Sequence, residues 1–227
     1  MGPWAYRRGL PPMREARPKP AVKPRHKIGP DFVHEMRHHP GLVAGVDEAG
    51  RGPLAGPVVA AAVILNRDDC PEGLNDSKQL TAARRALLEV EIRARAVCFG
   101  IGMASVEEID RLNILWATML AMTRAVAALG RDCAHVLVDG NRCPKWTHAS
   151  TAIVEGDAKC LSIAAASILA KEERDRMMVA AARAHPHYGW ESNKGYGSPQ
   201  HLAALRSHGP TPLHRRSFSP VAQLILI

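Results

Sequence analysis

A run of consecutive apolar residues, Pro57–Leu65, is the feature that most restricts what this chain can fold into. It does not alternate with polar residues, so a strand here has no face for solvent and must be covered on both sides. A second short run, Leu42–Val46, has the same character. The two runs predict neighbouring strands of a sheet that has helices on both faces.

The sequence after Gly41 supplies further strands and the helices that cover the sheet. Three more strands are predicted, at Val97–Ala104, His135–Val138 and Thr151–Val154. Five helices are predicted from periodicity and capping residues. The first runs from an N-cap at Thr81 to Arg95, with Ala86, Leu87 and Val90 on one side. The others begin at the capping box Ser105–Glu108, run over Ile114–Leu129 up to Gly130 and over Asp157–Ala184, and begin at Ser198-Pro199 toward Ser207. Three consecutive strands followed by alternating strands and helices indicate an α/β domain with a mixed sheet.

Residues 1–40 differ in composition from the rest of the chain. They hold nine Lys and Arg residues, three acids and eight of the 17 prolines, so they carry +6 of the formal net charge of +8. Proline fixes φ and removes a hydrogen-bond donor, so the segment up to about Pro30 cannot form a helix or a central strand. The sequence therefore predicts a disordered basic tail over residues 1–40 and a folded domain over residues 41–227. The tail is either a solubilising extension or an arm that binds phosphates without sequence specificity.

Several locations and functions are disfavoured by the composition. The chain has no apolar run of about 18 residues, which excludes a membrane span, and no apolar segment typical of a secretory signal. Its five cysteines are odd in number and form no C-x-x-C pair, which argues against a disulfide framework and a zinc knuckle. We therefore expect a cytoplasmic protein that contacts no membrane.

Four acids fall at predicted strand ends or at the start of a helix. Asp47 ends the first strand and Glu48 follows it, Asp139 ends the fourth strand, and Asp157 lies where the long helix begins. In an open α/β sheet these positions collect into one crevice. Carboxylates this close repel one another unless a cation lies among them, and Mg²⁺ binds oxygen ligands while keeping positions open for water and phosphate. The four acids are therefore candidate metal ligands for phosphodiester cleavage.

Each of these acids also has a purely structural explanation. Asp139-Gly140 is typical of a hairpin turn, Asp157 of a helix N-cap, and Asp47 and Glu48 of turn acids. Composition and spacing alone therefore indicate a metal site without establishing one.

Two glycine-rich loops carry the candidate substrate-binding residues. Gly50-Arg51-Gly52 directly follows the first acids, and its glycines let the backbone approach a ligand closely and expose its N–H groups. Such a loop suits a sugar–phosphate backbone with a 2′-hydroxyl; a tight turn is the alternative. In the second loop Tyr196 lies between two glycines, where its ring can stack on a base or a sugar. Tyr188 and Trp190 nearby are expected to be packing residues.

Multi-residue motifs occur in order between residues 41 and 220. They are GVDEAGRGPLAGPV at 45–58, NDSKQL at 75–80, Asp139-Gly140-Asn141, Gly156-Asp157, SIAAASILAK at 162–171, NKGYG at 193–197 and HRRSF at 214–218. Together they resemble the ribonuclease HII family. The resemblance implies a ribonuclease H-like fold, a five-stranded mixed sheet flanked by helices.

The resemblance also implies an activity. It is that of an endonuclease using Mg²⁺ or Mn²⁺, which cuts the RNA strand of RNA–DNA hybrids and the bond 5′ to a single ribonucleotide embedded in duplex DNA; a monomer is expected. By motif, the resemblance implies that the catalytic and metal-binding carboxylates are Asp47, Glu48, Asp139 and Asp157. It implies that the loop that reads the 2′-hydroxyl is Gly50-Arg51-Gly52 and that Tyr196 stacks on the deoxyribose. The candidate phosphate contacts are Lys78 and Lys171.

The expected mechanism is two-metal hydrolysis that leaves 3′-hydroxyl and 5′-phosphate ends. Two rival functions fit parts of the pattern. Another carboxylate-dependent nuclease, such as a Holliday-junction resolvase or a transposase, shares the acids, but the Gly50-Arg51-Gly52 loop beside them distinguishes this chain. A non-catalytic nucleic-acid-binding protein shares the excess of basic residues, but it has no use for four acids in its cleft.

Overall fold

The structure is a computed structural model that describes residues 29–225. Five strands form one sheet: β1 Val43–Ala49, β2 Val58–Ile64, β3 Cys98–Ala104, β4 His135–Asp139 and β5 Ser150–Ile153. Their order across the sheet is β3-β2-β1-β4-β5. The pairs β3–β2 and β2–β1 are antiparallel, and β1–β4 and β4–β5 are parallel. The predicted five-stranded mixed sheet is confirmed.

Eight α-helices surround or extend this sheet within the described residues. They are α1 Val33–Met36, α2 Ala82–Arg95, α3 Val106–Leu112, α4 Ile114–Ala127, α5 Leu161–Ala184, α6 Trp190–Asn193, α7 Pro199–His208 and α8 Ser219–Ile225. The local capping predictions are confirmed: Thr81 and Ser198 accept backbone N–H groups at the starts of α2 and α7, and Ser105 forms a capping box with Glu108. None of these helices combines the length and apolar character needed to cross a membrane.

The sheet is covered on both faces, as the apolar run of β2 predicts. On one face Val46, Val58 and Ile64 form a core with Ala121 and Ala125 of α4. The opposite face of β2 packs against the long helix α5 and against α2. Every side chain of β2 is therefore buried, and burial of this apolar surface is the main stabilisation of the sheet.

Helix α5 packs directly against the backbone of β1. A β-carbon at Gly45 would clash with the backbone of Ser162 and Ile163, in the first turn of α5. Glycine at this position therefore sets the close approach of the helix to the strand that ends in Asp47 and Glu48.

The exposed side of α2 differs from what its apolar residues predict. Ala86, Leu87 and Val90 do lie on one side, but that side faces solvent. The buried side consists of Leu88 and Ile92, which are four residues apart and pack against α5. Pattern alone does not distinguish the two sides, because each presents apolar residues at helical spacing.

Helix α5 begins at Leu161, four residues later than predicted. Asp157 lies instead in a short 3₁₀ helix, Gly156–Ala158, that is separated from α5 by two non-helical residues. Glu155 before it has a positive φ of 56°, and Cys160 is extended, so the backbone is not continuously helical from Asp157 into α5. Asp157 is therefore not an N-cap of the long helix.

The predicted tail 1–40 has two parts. Residues 1–28 lie outside the described residues. The segment from Asp31 onward packs on the domain: Asp31 forms a β-bridge with Cys160, and Glu35 of α1 is buried. Glu35 Oε1 accepts hydrogen bonds from the Ser162 N–H at 3.0 Å and its hydroxyl at 2.6 Å, so it caps the N-terminus of α5. The sequence misses this contact because its two partners are far apart in the chain.

Candidate active site

Three carboxylates meet where the central strands β1 and β4 end. Val46 pairs with Val138 in the parallel register, so the next residues along the two strands, Asp47 and Asp139, lie side by side. Both Asp47 and Glu48 are inside β1 rather than at and after its end, because β1 runs on to Ala49 in its pairing with β2. Ligand oxygens of Asp47, Glu48 and Asp139 all lie within 4.8 Å of one another.

The environment of this group disfavours negative charge. Burial raises the pKa of Asp47 well above its ordinary value, and the charges of Glu48 and Asp139 raise it further. Burial also raises the pKa of Glu48, although Arg51, whose Nη1 lies 3.3 Å from Glu48 Oε1, opposes the shift. A divalent cation would relieve this repulsion. The clustered carboxylate oxygens therefore fit a hard cation such as Mg²⁺ or Mn²⁺.

Asp157 lies beside the group rather than inside it. It is buried, and burial together with the carboxylates of Asp76 and Asp139 raises its pKa to about 6. Asp157 is therefore within the field of the other acids, but it is not one of the three residues whose ligand atoms lie within 4.8 Å. The structure thus brings together the four acids that the sequence singles out, three of them closely.

Asp76 is an acid of the cleft that the sequence analysis does not assign. It precedes the 3₁₀ helix Ser77–Gln79 and accepts the Lys78 N–H at 2.9 Å. The NDSKQL motif at 75–80, which contains Asp76, is the sequence signal that points to this residue. Asp76 both approaches Asp157 and fixes the turn that carries Lys78.

The two lysines that were predicted to contact phosphate lie in different surroundings. Burial alone would lower the pKa of Lys78, but the carboxylates of Asp76, Asp47, Asp157 and Asp139 raise it, so Lys78 is in the field of the acid group. Lys171 is on α5, ten residues after Leu161, which is about 15 Å along the helix. Its ammonium is held by Asp175 at 2.7 and 2.8 Å.

The Gly50-Arg51-Gly52 loop continues directly from β1 toward solvent. Gly50 has a φ of 99°, a conformation that favours glycine, and its missing side chain makes room for the guanidinium of Arg174. Arg51 and Gly52 are exposed. A β-carbon at Gly52 would lie 3.5 Å from Cε1 of Tyr196, so the tyrosine ring is next to the loop.

Tyr196 is exposed and its aromatic neighbours are buried, as the sequence predicts. Tyr196 is 48% exposed beside the loop, whereas Tyr188 and Trp190 are buried and stack on each other with ring centroids 5.2 Å apart. Trp190 also donates a hydrogen bond from Nε1 to His201 Nε2 at 3.1 Å. The two buried rings are packing residues, and Tyr196 is the aromatic side chain available to a ligand at this site.

Two buried arginines were also missed. Arg174 and Arg215 lie behind the loop, and their side chains donate only to backbone carbonyls. Arginine is mostly a surface residue, so no local pattern identifies one that is fully buried. The HRRSF motif at 214–218 is the sequence signal that points to Arg215.

Comparisons with known proteins agree on one family. The family model described as Ribonuclease HII matches residues 44–221, a range that includes all four acids and both loops. Ribonuclease HII of Rhizorhabdus wittichii is 65% identical over 198 residues, covering 87% of this chain and 97% of that protein. Ribonuclease HII of Sphingopyxis alaskensis is 66% identical over 186 residues, covering 82% and 93%.

Solved structures show the same likeness. Ribonuclease H2 of Pyrococcus horikoshii has a TM-score of 0.67 and 27% identity, covering 80% of this chain and 96% of that one. The chain matched in a PCNA:RNase HII complex of Archaeoglobus fulgidus has a TM-score of 0.65 and 26% identity, covering 77% and 93%. Sequence and fold therefore lead to the same family.

Proposed function

The chain belongs to the ribonuclease HII family, a family of metal-dependent ribonucleases H that act on RNA–DNA substrates, and on that premise we propose its substrates and mechanism. It cleaves the RNA strand of RNA–DNA hybrids and cuts 5′ to a single ribonucleotide embedded in duplex DNA. The products carry 3′-hydroxyl and 5′-phosphate ends. The observation that carries the proposal is the group of three carboxylates, Asp47, Glu48 and Asp139, beside an exposed glycine-rich loop.

The carboxylates are the residues that hold the metal. We assign Asp47 and Asp139 to one ion, and Asp157 with Glu48 to a second. When bound there, Mg²⁺ or Mn²⁺ ions would supply an activated water and would stabilise the charge on the leaving oxygen. Burial raises the pKa of Asp47 because it makes the ionised carboxylate unfavourable when no cation is nearby. A bound cation would compensate this charge.

The loop and the tyrosine select the position of the cut. Arg51 and Gly52 are exposed next to the carboxylates, where their backbone N–H groups and the Arg51 guanidinium can reach a 2′-hydroxyl and its phosphate. Tyr196 is next to the loop and presents a ring to the following sugar. Lys78 lies in the field of the carboxylates, and we assign it to a neighbouring phosphate.

We also propose that the active form is a monomer. The decisive experiment measures cleavage of a duplex DNA with one embedded ribonucleotide, with an all-DNA duplex of the same sequence as control. Size-exclusion chromatography of the protein tests whether it is a monomer. We expect a single cut 5′ to the ribonucleotide, lost in EDTA and restored by Mg²⁺ or Mn²⁺. Cutting of the control duplex, or cutting that survives EDTA, would contradict the proposal.

A further inference from the structure

Arg174 and Arg215 are almost completely buried, and neither forms an ion pair within residues 29–225. Burying a guanidinium is costly unless its donors are satisfied. Here backbone carbonyls satisfy them, and three of these carbonyls, those of Gly50, Arg51 and Lys194, belong to the loops that we assign to substrate selection. The two arginines therefore do more than fill space.

Arg215 holds the Gly50-Arg51-Gly52 loop by its carbonyls. It donates to the carbonyl of Gly50 at 2.6 Å and to that of Arg51 at 2.9 Å, and its other donors reach Gly56 at 2.9 Å and Pro57 at 3.2 Å. In a trans peptide the N–H points opposite to the carbonyl. The N–H groups of Arg51 and Gly52 are therefore turned away from Arg215, and neither has an acceptor among the described residues.

Arg174 links this loop to the segment that carries Tyr196. Its Nη1 donates to the carbonyl of Lys194 at 3.0 Å, and its Nη2 donates to that of Ala55 at 3.1 Å. The guanidinium also fills the space left by the missing side chain of Gly50. One cation thus contacts both of the loops that we assign to substrate selection.

His214, the residue before Arg215, reaches Tyr196 through a second histidine. Thr211 N–H donates to His214 Nδ1 at 2.9 Å, so His214 carries its proton on Nε2 and donates to His201 Nε2 at 3.0 Å. His201 then has its proton on Nδ1 and donates to the carbonyl of Tyr196 at 2.8 Å. Both rings are buried, so this chain of hydrogen bonds is shielded from water.

We propose that the buried dipeptide His214-Arg215, together with Arg174, is a frame that fixes the Gly50-Arg51-Gly52 loop and Tyr196 relative to each other and so sets the selectivity for a single ribonucleotide in duplex DNA. The frame is continuous through the backbone, since Arg215 N–H donates to Leu54 and Leu54 N–H to Gly195, both at 2.8 Å. The three residues are positioning residues. The inference rests on the proposed function.

The frame matters more for one substrate than for the other. A duplex with one ribonucleotide offers a single 2′-hydroxyl, so the loop and Tyr196 must engage it in one register. An RNA strand offers a 2′-hydroxyl at every step, so a displaced loop still finds productive registers. Loss of the frame should therefore reduce cleavage at the single ribonucleotide more than cleavage of the hybrid.

The test compares Arg215→Gln and Arg174→Gln with two controls, Arg216→Gln and Arg176→Gln. Arg216 is the exposed neighbour of Arg215, and Arg176 lies on the same helix as Arg174 but pairs with Glu89 and Glu173 at the surface. We measure kcat and KM on both substrates with Mg²⁺. The ratio of kcat/KM for the single ribonucleotide to that for the hybrid should fall about tenfold or more in the frame variants, because small misplacements of binding groups are costly. It should not change in the controls.

A second set of variants keeps the proposal testable if Arg215→Gln does not fold. Arg215→Lys keeps the charge but loses the planar fork, and we expect it to fold and still lose selectivity. His214→Gln is measured alone and in a Tyr196→Ala background, where it should cause no further loss of selectivity, since contacts that act through one residue are not additive.

The outcomes separate the inference from the function on which it rests. An unsubstituted protein that cleaves neither substrate overturns the proposed function. The frame alone is overturned if the unsubstituted protein cleaves both substrates but the variants show no change in selectivity. In that case Arg215→Lys, Arg174→Gln and His214→Gln lose the same fraction of kcat/KM on each substrate, or lose nothing on either.

Discussion

Asp139 Oδ1 accepts a hydrogen bond from the backbone N–H of Gly156 at 2.7 Å. The carboxylate at the end of β4 therefore fixes the turn that carries Asp157, the residue that follows Gly156. One side chain supplies both a negative charge to the carboxylate group and an acceptor for the turn beside it. The spacing of the acids thus depends on Asp139 in two ways, and substitutions can separate them.

Asp139→Asn should nearly abolish cleavage while leaving hybrid binding and folding intact. The amide oxygen of asparagine can still accept the Gly156 N–H, so the turn is kept and only the charge that we assign to metal binding is removed. Binding rests mainly on phosphate contacts elsewhere. Single-turnover cleavage and hybrid affinity, measured in the same buffer with Mg²⁺, test this.

Asp139→Ala is the matched comparison, because it removes the charge and the acceptor together. We expect the same loss of cleavage and, in addition, a lower unfolding temperature. An Asp139→Asn variant that cleaves at the parental rate would show that Asp139 is not a metal ligand.

The metal-free protein should become less stable as the pH rises through the range in which Asp157 ionises. Burial, Asp76 and Asp139 raise the pKa of Asp157 from 3.8 to about 6. In the unfolded chain the carboxyl loses its proton earlier, so its contribution to stability is lost as the pH rises from about 4 to 6. If the assignment of the metal ligands is correct, Mg²⁺ should restore stability above pH 6, since a ligand that binds only the folded state stabilises it.

Asp157→Asn is the control for that measurement, because other groups titrate in the same range. Burial lowers the pKa of His214 to about 4, so this histidine destabilises the folded protein as the pH falls. The quantity to compare is the difference in unfolding temperature between Asp157→Asn and the parent in EDTA. It should be near zero at pH 4 and favour the variant at pH 7; a difference independent of pH contradicts the assignment.

Lys78→Ala should weaken cleavage, and Lys171→Ala should have little effect. Lys78 is exposed and lies in the field of the carboxylates, where a substrate phosphate would approach. Lys171 is already neutralised by Asp175. Values of kcat/KM on the hybrid for the two variants provide the comparison, and equal losses would show that both lysines contact the substrate.

Tyr196→Ala should lower kcat/KM for the single ribonucleotide more than for the hybrid. The ring is about half exposed and next to Gly52, so its removal takes away the surface that we assign to substrate stacking without opening the core. Removal of one stacking interaction corresponds to about 1–3 kcal/mol. Tyr196→Phe keeps the ring and should retain most of the selectivity; equal losses for both variants would point to the hydroxyl group instead.

Local patterns predicted most of the sheet and the helix starts. The cap residues Thr81, Ser105 and Ser198 act on N–H groups within three residues, so the sequence contains the whole interaction. The apolar strand β2 likewise carries its own evidence of burial on both faces. The four acids were predicted as metal ligands from their positions at strand ends and at a helix start, together with the family motifs.

What the sequence did not predict depends on contacts between distant segments. Glu35 caps α5 across 127 positions, and Arg215 reaches the carbonyl of Gly50 across 165. Both are charged residues, which propensity places at the surface. Their burial becomes favourable only when the folded chain brings unpaired backbone groups to them, and no local pattern encodes this.

Deletion of residues 1–28 should flatten the salt dependence of hybrid binding without abolishing cleavage. This segment holds eight Lys and Arg residues and one acid, and Gly29, the residue that follows it in the sequence, lines a cavity together with Asp76 and Asp157. Basic residues that neutralise phosphates release counterions from the nucleic acid, which makes binding depend on salt. For every phosphate that the shortened protein no longer neutralises, the slope of log affinity against log salt should decrease in magnitude by about 0.9. Deletion should stop before Asp31, because Asp31 and Glu35 pack on α5, and an unchanged slope would leave the segment a solubilising extension.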